Sequence, residues 1–363
     1  MKWESKLVSP YNGLERRSFW KTGVSETHPL ELTDIYVKKF EIGRNDRIAT
    51  AGSCFAQHIA HRLRQRGFQV LDSELPPPDL DTETAKRFGF RLYSARYGNV
   101  YTVRQLLQLI QECSGLRRPS VTVWEKNGRF FDALRPSIEP DGLCSVMAVV
   151  EHRAQHLSRV RSMLEQTDLL VFTMGLTEAW IHREDGTVYP TAPGAIVGSY
   201  DPLIYTFKNF NYDEVLQDFL ELRNLLKALK SDIRFMLTVS PVPLTATAGH
   251  EHVLAATTYS KSVLRAVAGY LAMSFQDIDY FPSFEIIAGA QARGFFYESN
   301  LRSISAAGVD VVMRTFFREH FGSVESVAET PHNEVQSARC SVAAIDALQE
   351  VFCDEMLLEA FAP

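Results

Sequence analysis

A serine and a cysteine stand side by side where a short β-prone run passes into a helical pattern. The run ends in Ala51 and Gly52, Ser53 and Cys54 follow at once, and apolar residues then recur at helical spacing from Phe55. A hydroxyl or thiol at such a junction sits above the end of a strand, where the first helical turn offers N–H groups to a developing oxyanion. The spacing therefore indicates a nucleophile at Ser53 or Cys54. A surface serine beside a buried cysteine is the simpler interpretation of the same residues.

The elements that would position this pair alternate between strands and helices. Continuous apolar runs predict buried strands, and apolar residues at a period of 3.6 predict helices. The strands are 68–71, 168–174, 234–240 and 275–280, and the longest helices are 212–229 and 254–273. Alternation of this kind implies a parallel, doubly wound sheet with helices on both faces, which is a three-layer α/β/α sandwich. Sites in such sheets lie at the carboxyl ends of the strands, which here means Ser53, residues 175–178 and Ser240.

The chain divides into an arm, a body and a tail. Residues 1–45 lack strong periodicity and predict an extended N-terminal arm laid on the body. The body covers 46–321 and carries irregular insertions near 121–148 and 185–211, both containing glycines and prolines that interrupt regular elements. Residues 322–363 predict a polar linker and a C-terminal helix.

Composition and charge are those of an ordinary globular protein. The 363 residues are 45% hydrophobic and 23% charged, and the net charge of −6 provides no basic field for nucleic acid. Neither a membrane span nor a signal peptide is expected. The five cysteines are scattered, so no metal site is expected, and reduced thiols in a cytoplasmic protein are the simplest account. The sequence also lacks the glycine-rich motifs of dinucleotide and ATP sites, so no cofactor is expected.

Several motifs at strand ends resemble those of the GSCFA family. Residues 51–56, Ala-Gly-Ser-Cys-Phe-Ala, are similar to the motif that gives the family its name. The later similar blocks are 97–101, 175–180, 240–242, 259–262 and 280–286. The resemblance covers roughly 45–320, and the family is grouped with SGNH/GDSL-like hydrolases. It therefore implies a three-layer fold, an esterase or acyltransferase activity, and a small-molecule or carbohydrate ester as the substrate.

The resemblance also implies roles for the first two blocks. Ser53 would attack the acyl carbonyl, and the thiol of Cys54 would do so if the motif aligns one residue later. Gly98 and Asn99 resemble the oxyanion glycine and its side-chain donor. A turn glycine beside an asparagine that bonds its own backbone is the alternative interpretation of Gly98 and Asn99.

The block at 175–178 would complete the binding site. Gly175 and Thr177 occupy the position of the Gly-x-Asn motif of the wider superfamily, and Thr177 could still donate from its hydroxyl. Glu178 would then be a buried carboxylate at a strand end, where carboxylates with perturbed pKa values are common. A structural ion pair with an arginine such as Arg96 is the alternative for Glu178.

The departure from the family lies at the general base. Some members carry Asp-x-x-His shortly after the 280–286 block, but here Asn300 and Ser303 occupy those positions. Neither accepts a proton near neutral pH, and a base contributes about 10²–10⁴-fold to the rate. His252 is favoured as the replacement because the superfamily places its base on a late loop. The other candidates are His58, His61, His182 and His250. Lys261 could act if it were desolvated, but an exposed helical lysine is expected there.

Three functions remain open at this point. The first is an SGNH-like acyl esterase or acyltransferase acting on an O-acyl ester, including esters of carbohydrates. The second is a non-catalytic binding or scaffold protein on a hydrolase fold that has lost its base, which Asn300 and Ser303 favour. The third is a thiol enzyme that uses Cys54. The sequence gives no indication of an oligomeric state.

Overall fold

The computed structural model describes residues 9–32, 34–322 and 354–362. In these ranges the helices are α1 (Phe55–Gln65), α2 (Thr82–Arg87), α3 (Val103–Cys113), α4 (Val146–Leu164), α5 (Tyr212–Leu229), α6 (Val253–Ser274), α7 (Ser283–Ala288) and α8 (Ala306–Phe321). The strands are β1 (Ile48–Gly52), β2 (Val123–Lys126), β3 (Arg129–Asp132), β4 (Leu169–Met174), β5 (Glu178–His182), β6 (Val188–Tyr189), β7 (Tyr205–Asn209), β8 (Arg234–Val239) and β9 (Ile278–Tyr280).

The central sheet contains four parallel strands in the order β1-β4-β8-β9. The predicted strand at 68–71 is reduced to a single bridge, in which Val70 pairs with Ile48 on the outer side of β1. With that segment counted, the order across the sheet is 68–71, β1, β4, β8 and β9. The chain moves outward from β1 to 68–71 and then returns to the other side of β1 for β4, so the order reverses between β1 and β4. A crevice forms outside the carboxyl ends of the strands at such a reversal. The fold therefore places the segments after β1 and β4 at the expected site.

Alternate residues of β4 face the two outer layers. Leu170 and Phe172 pack into the core beneath α3, α4, α5 and α6, whereas Leu169 and Val171 pack toward α1, α7 and α8. A strand that is apolar on both faces can be buried only between two layers of helices. The predicted three-layer α/β/α architecture is confirmed.

Two small antiparallel sheets lie outside the central sheet. β2 and β3 form a hairpin whose turn residues, Asn127 and Gly128, both have positive φ, as the tightest hairpin turns require. β6, β5 and β7 form a three-stranded sheet in that order. The hairpin falls within 121–148, and β6 and β7 fall within 185–211.

The arm contains short helical turns and is therefore less extended than predicted. These turns are Arg16–Ser18, Lys21–Ser25 and Pro29–Glu31. Farther along the arm, the Tyr36 hydroxyl donates to Asp279 Oδ2 at 2.8 Å and so fixes the arm to β9. At the other end of the chain, Asp354–Phe361 forms a 3-10 helix. The earlier part of the predicted C-terminal helix lies outside the described residues.

Candidate active site

The turn after β1 requires a glycine. Gly52 has a φ of +143°, and a Cβ there would lie 2.5 Å from the Thr173 carbonyl oxygen on β4. This close approach lets the Ser53 N–H donate to the same carbonyl at 3.2 Å. Cys54 is already helical in conformation and precedes the first residue of α1. The sequence Gly-Ser-Cys thus carries the chain directly from the sheet into the helix.

Ser53 is buried with its hydroxyl unused. The residue is 3% exposed, and its Oγ has no hydrogen-bond partner within the part of the chain that the structure describes. A Cβ on Gly175 would lie 3.0 Å from Ser53 Cβ and 3.0 Å from the Tyr101 carbonyl oxygen, so these three segments meet closely. Buried hydroxyls nearly always make hydrogen bonds, and an unused one calls for an explanation. Cys54, the alternative nucleophile, is also buried, at 5% exposure.

The loop at 97–101 lies along the carboxyl end of β1. The Val100 N–H donates to the Gly52 carbonyl at 2.9 Å, and Gly98 turns the chain with a φ of +70°. The buried side chain of Asn99 accepts from the Tyr93 hydroxyl through Oδ1. Its Nδ2 donates to Asp354 Oδ2 at 3.0 Å. The amide predicted to hold an oxyanion is thus bound to a carboxylate of the C-terminal segment.

The turn after β4 is held by its own backbone. The N–H groups of Gly175 and Leu176 both donate to the Tyr101 carbonyl, at 2.9 and 3.1 Å. Thr177 is fully buried, and its hydroxyl donates to Asn209 Oδ1 on β7 at 2.6 Å. Gly175 therefore lies beside Ser53 as predicted from the strand ends, whereas the hydroxyl of Thr177 is directed toward β7.

Glu178 is buried at the start of β5. Its Oε1 accepts from the Thr247 hydroxyl at 2.8 Å, and desolvation by burial raises the pKa of its carboxyl group. Pairing of Glu178 with Arg96, the alternative from the sequence, is wrong, because Arg96 pairs with Glu139 at 2.7 Å. Glu178 is therefore a buried carboxyl group that makes a hydrogen bond with Thr247 and no ion pair with Arg96.

A cavity of about 180 Å³ adjoins Glu178 and Thr247. Its apolar lining includes Tyr101, Leu176 and Trp180, and its polar lining includes Glu178. Asp354 and other residues of the C-terminal 3-10 helix close one side. An apolar cavity with a few polar groups at one end is the usual form of a small-molecule site.

The histidine favoured as the base caps a helix. His252 is exposed and precedes α6, where its Nδ1 accepts from the Leu254 N–H at 3.1 Å. His58 lies on α1 with its ring 5.7 Å from that of Phe55, and burial lowers its pKa to about 4. His182 is buried, with Nδ1 3.5 Å from Asp185. The assignment of the base among these residues stays a prediction.

Asn300 and Ser303 form a turn instead of an acid–base pair. Asn300 Oδ1 accepts from the N–H groups of Arg302 and Ser303, and its Nδ2 donates to Ser303 Oγ at 3.0 Å. The segment that carries Asp-x-x-His in some relatives is therefore stabilised locally here by a side chain that cannot titrate.

Sequence reasoning predicted the wrong exposure for Lys261 and missed Asp354. Lys261 was expected to be exposed, which is wrong: it is 3% exposed, and its Nζ donates to the Gly175 carbonyl at 2.5 Å. Its position three residues before buried Leu264 and seven before buried Ala268 was the available signal, because that spacing places all three on one helical face. Asp354 lies within the predicted C-terminal helix, and its spacing gave no comparable signal.

Within residues 9–32, 34–322 and 354–362, no three His, Cys, Asp or Glu side chains lie close enough together to hold a metal ion. None of the helices in the described ranges has the length and hydropathy needed to cross a membrane.

The parallel sheet and the buried Ser53 hydroxyl, which has no partner among the described residues, define an α/β protein with a candidate site at the carboxyl ends of its strands. The sequence matches the GSCFA family over residues 47–316, and the chain therefore belongs to the GSCFA family. This membership supports a hydrolase or esterase-like function.

Comparison with solved structures adds matches at the level of the fold. No functionally curated protein matches the sequence. One matching solved structure is that of a carbohydrate esterase family 3 from Talaromyces cellulolyticus, which is 11% identical. The alignment covers 62% of this chain and 93% of that chain, with a TM-score of 0.27.

Proposed function

We propose that the protein is an acyl esterase or acyltransferase that uses Ser53 as its nucleophile. The observation that carries this proposal is the buried Ser53 hydroxyl, which has no partner among the described residues and lies beside Gly175 at the reversal of the strand order. The proposed substrate is an O-acyl ester of a small molecule, including acylated carbohydrates. The adjoining cavity of about 180 Å³ would receive part of it.

The proposed reaction has two steps. Ser53 Oγ bonds to the acyl carbon while its proton passes to a base and then to the departing alcohol, leaving an acyl-serine. Water then takes the acyl group in hydrolysis, and a second alcohol takes it in acyl transfer. The Ser53 and Gly175 N–H groups already donate to backbone carbonyls. The oxyanion donors would therefore be N–H groups at the start of α1, joined by the Asn99 amide once it leaves Asp354 Oδ2.

The Cys54 thiol is the second candidate, supported by its position at the amino end of α1. A helix N-terminus favours a thiolate. Against this, a buried thiol in apolar surroundings has a raised pKa. The two candidates make the same acyl intermediate on neighbouring residues, so site mapping distinguishes them.

The test is labelling with a fluorophosphonate probe, followed by intact-mass measurement and peptide mapping. One adduct on Ser53, lost in Ser53→Ala and kept in Cys54→Ala, is the expected result. Iodoacetamide provides the thiol control, because exposed Cys144 gives the rate of an ordinary thiol in the same protein. If Cys54 reacts faster than Cys144 and Ser53 stays unlabelled, the thiol enzyme replaces the serine enzyme. If neither residue reacts in folded protein, the binding or scaffold function replaces both.

A further inference from the structure

We propose that Lys261 is a positioning residue of this site, which fixes the turn at 175–177 against Ser53 and holds a positive charge beside it. The catalytic part of this proposal rests on the proposed function, whereas its structural part can be tested separately.

Two consecutive residues of α6 hold the turn from both sides. Lys261 Nζ donates to the Gly175 carbonyl at 2.5 Å, and Ser260 Oγ accepts from the Thr177 N–H at 2.9 Å. Both side chains are buried. The turn is therefore bound to a helix of 22 residues that packs on the central sheet, so it cannot shift without moving the helix contacts as well.

The turn at 175–177 is the segment that contacts Ser53, the proposed nucleophile. The position of a Cβ on Gly175 lies 3.0 Å from Ser53 Cβ. Combined with the Lys261 hydrogen bond and ordinary bond lengths, this contact puts the ammonium no more than about 10 Å from Ser53 Cβ. Charges at that separation interact strongly where water is excluded. A fixed cation there would favour the negative charge that develops on the acyl oxygen.

The choice of lysine at this position supports a role beyond packing. Lysine is almost never fully buried, because removing an ammonium from water is costly. A carbonyl such as that of Gly175 could be satisfied by a neutral hydroxyl, as the Thr177 N–H is satisfied by Ser260. The Lys261 ammonium adds a local positive potential, which a neutral hydroxyl would not provide.

The experiment compares Lys261→Met and Lys261→Arg with the wild type. Arg265→Met is the matched control, since it removes one positive charge from the same helix at a partly exposed pair with Glu285. Three quantities are measured: kcat and KM for p-nitrophenyl acetate, the rate of fluorophosphonate labelling, and amide hydrogen exchange in peptides spanning 175–177.

Lys261→Met is expected to lower kcat and the labelling rate about tenfold, the effect of a unit charge acting across about 10 Å at an effective dielectric constant of about 20. KM should stay within about twofold, because the lysine acts on the transition state rather than on substrate binding. Exchange at 175–177 should become at least about tenfold faster while the sheet is unchanged. Lys261→Arg should keep kcat within about threefold of the wild type, and Arg265→Met should behave as the wild type.

Two results would overturn the proposal. One is unchanged exchange and labelling in Lys261→Met, and the other is faster exchange throughout the sheet, which would mean a general structural role. If the wild type has no activity and takes no label, the proposed function fails. Exchange at 175–177 alone then decides whether Lys261 fixes the turn. If Lys261→Met does not fold, Lys261→Gln, which keeps a donor and removes the charge, replaces it in the same measurements.

Discussion

A single methyl group on Gly52 would test the geometry of the turn that presents Ser53. Gly52 has a φ of +143°, and an added Cβ would lie 2.5 Å from the Thr173 carbonyl oxygen and 2.8 Å from Thr173 Cβ. The obstacle is the backbone of β4, which is buried in the centre of the sheet and has no room to move. Gly52→Ala therefore introduces both backbone strain and a steric clash.

The size of the effect follows from these two parts. A non-glycine residue in a sparsely populated backbone region costs about 1–3 kcal/mol, and overpacking a tight interior costs about 1–3 kcal/mol more. The free energy of unfolding should fall by about 4 kcal/mol. Gly128→Ala is the matched control, because its φ is also positive, at +73°, but nothing lies within 4 Å of the added Cβ. That variant should lose only about 1–2 kcal/mol.

Urea denaturation at 25 °C, followed by circular dichroism, measures both losses on the same scale. The difference between the variants isolates the clash and should be about 2–3 kcal/mol. Equal losses within about 0.5 kcal/mol would refute the reasoning, because they would mean that β4 does not approach Gly52 as closely as described.

Three other perturbations probe buried ionisable groups. Burial lowers the pKa of His320 to about 4, so between about pH 6.5 and pH 4 only the unfolded chain takes up this proton. Stability should fall by up to about 3 kcal/mol as pH drops through that window, and less in His320→Gln, by urea titration at each pH. Arg153→Met leaves Glu112 without its cation and leaves buried Asp132 with Arg135 alone, and it should cost about 3 kcal/mol in urea denaturation. Arg161→Met, at an exposed pair, should cost under about 0.5 kcal/mol. Asp354→Ala releases the Asn99 amide from a charged acceptor and should raise esterase kcat/KM about tenfold; a fall would assign Asp354 to catalysis.

The fold could be predicted because its signals are local. The apolar run of β4 and the amphipathic pattern of α5 each specify an element without reference to the rest of the chain. The predicted bounds of α5, 212–229, are those observed, helped by a capping box between Asn211 and Glu214. The strand at 68–71 was overestimated because a short apolar run does not reveal that only Val70 meets a neighbour.

The site could be predicted only as far as the backbone determines it. Gly175 lies beside Ser53 because parallel strands end at one edge, and the sequence reveals that topology. Side-chain partners depend on three-dimensional neighbours, and here the predictions were weaker. The ion pair of Glu178 with Arg96, the alternative from the sequence, is wrong because Arg96 pairs with Glu139 across the fold.

The contact between Tyr36 and β9 has a consequence for the order in which the chain is made. Tyr36 and its partner Asp279 are separated by 243 residues. At a synthesis rate of about 5–20 residues per second, about 12–50 seconds pass before that partner exists. His320, which also contacts the Tyr36 hydroxyl at 3.1 Å, emerges later still. Throughout that interval Tyr36 and its buried neighbour Ile42 lack their final cover on the ribosome. The first part of the described chain to be translated is therefore among the last to dock.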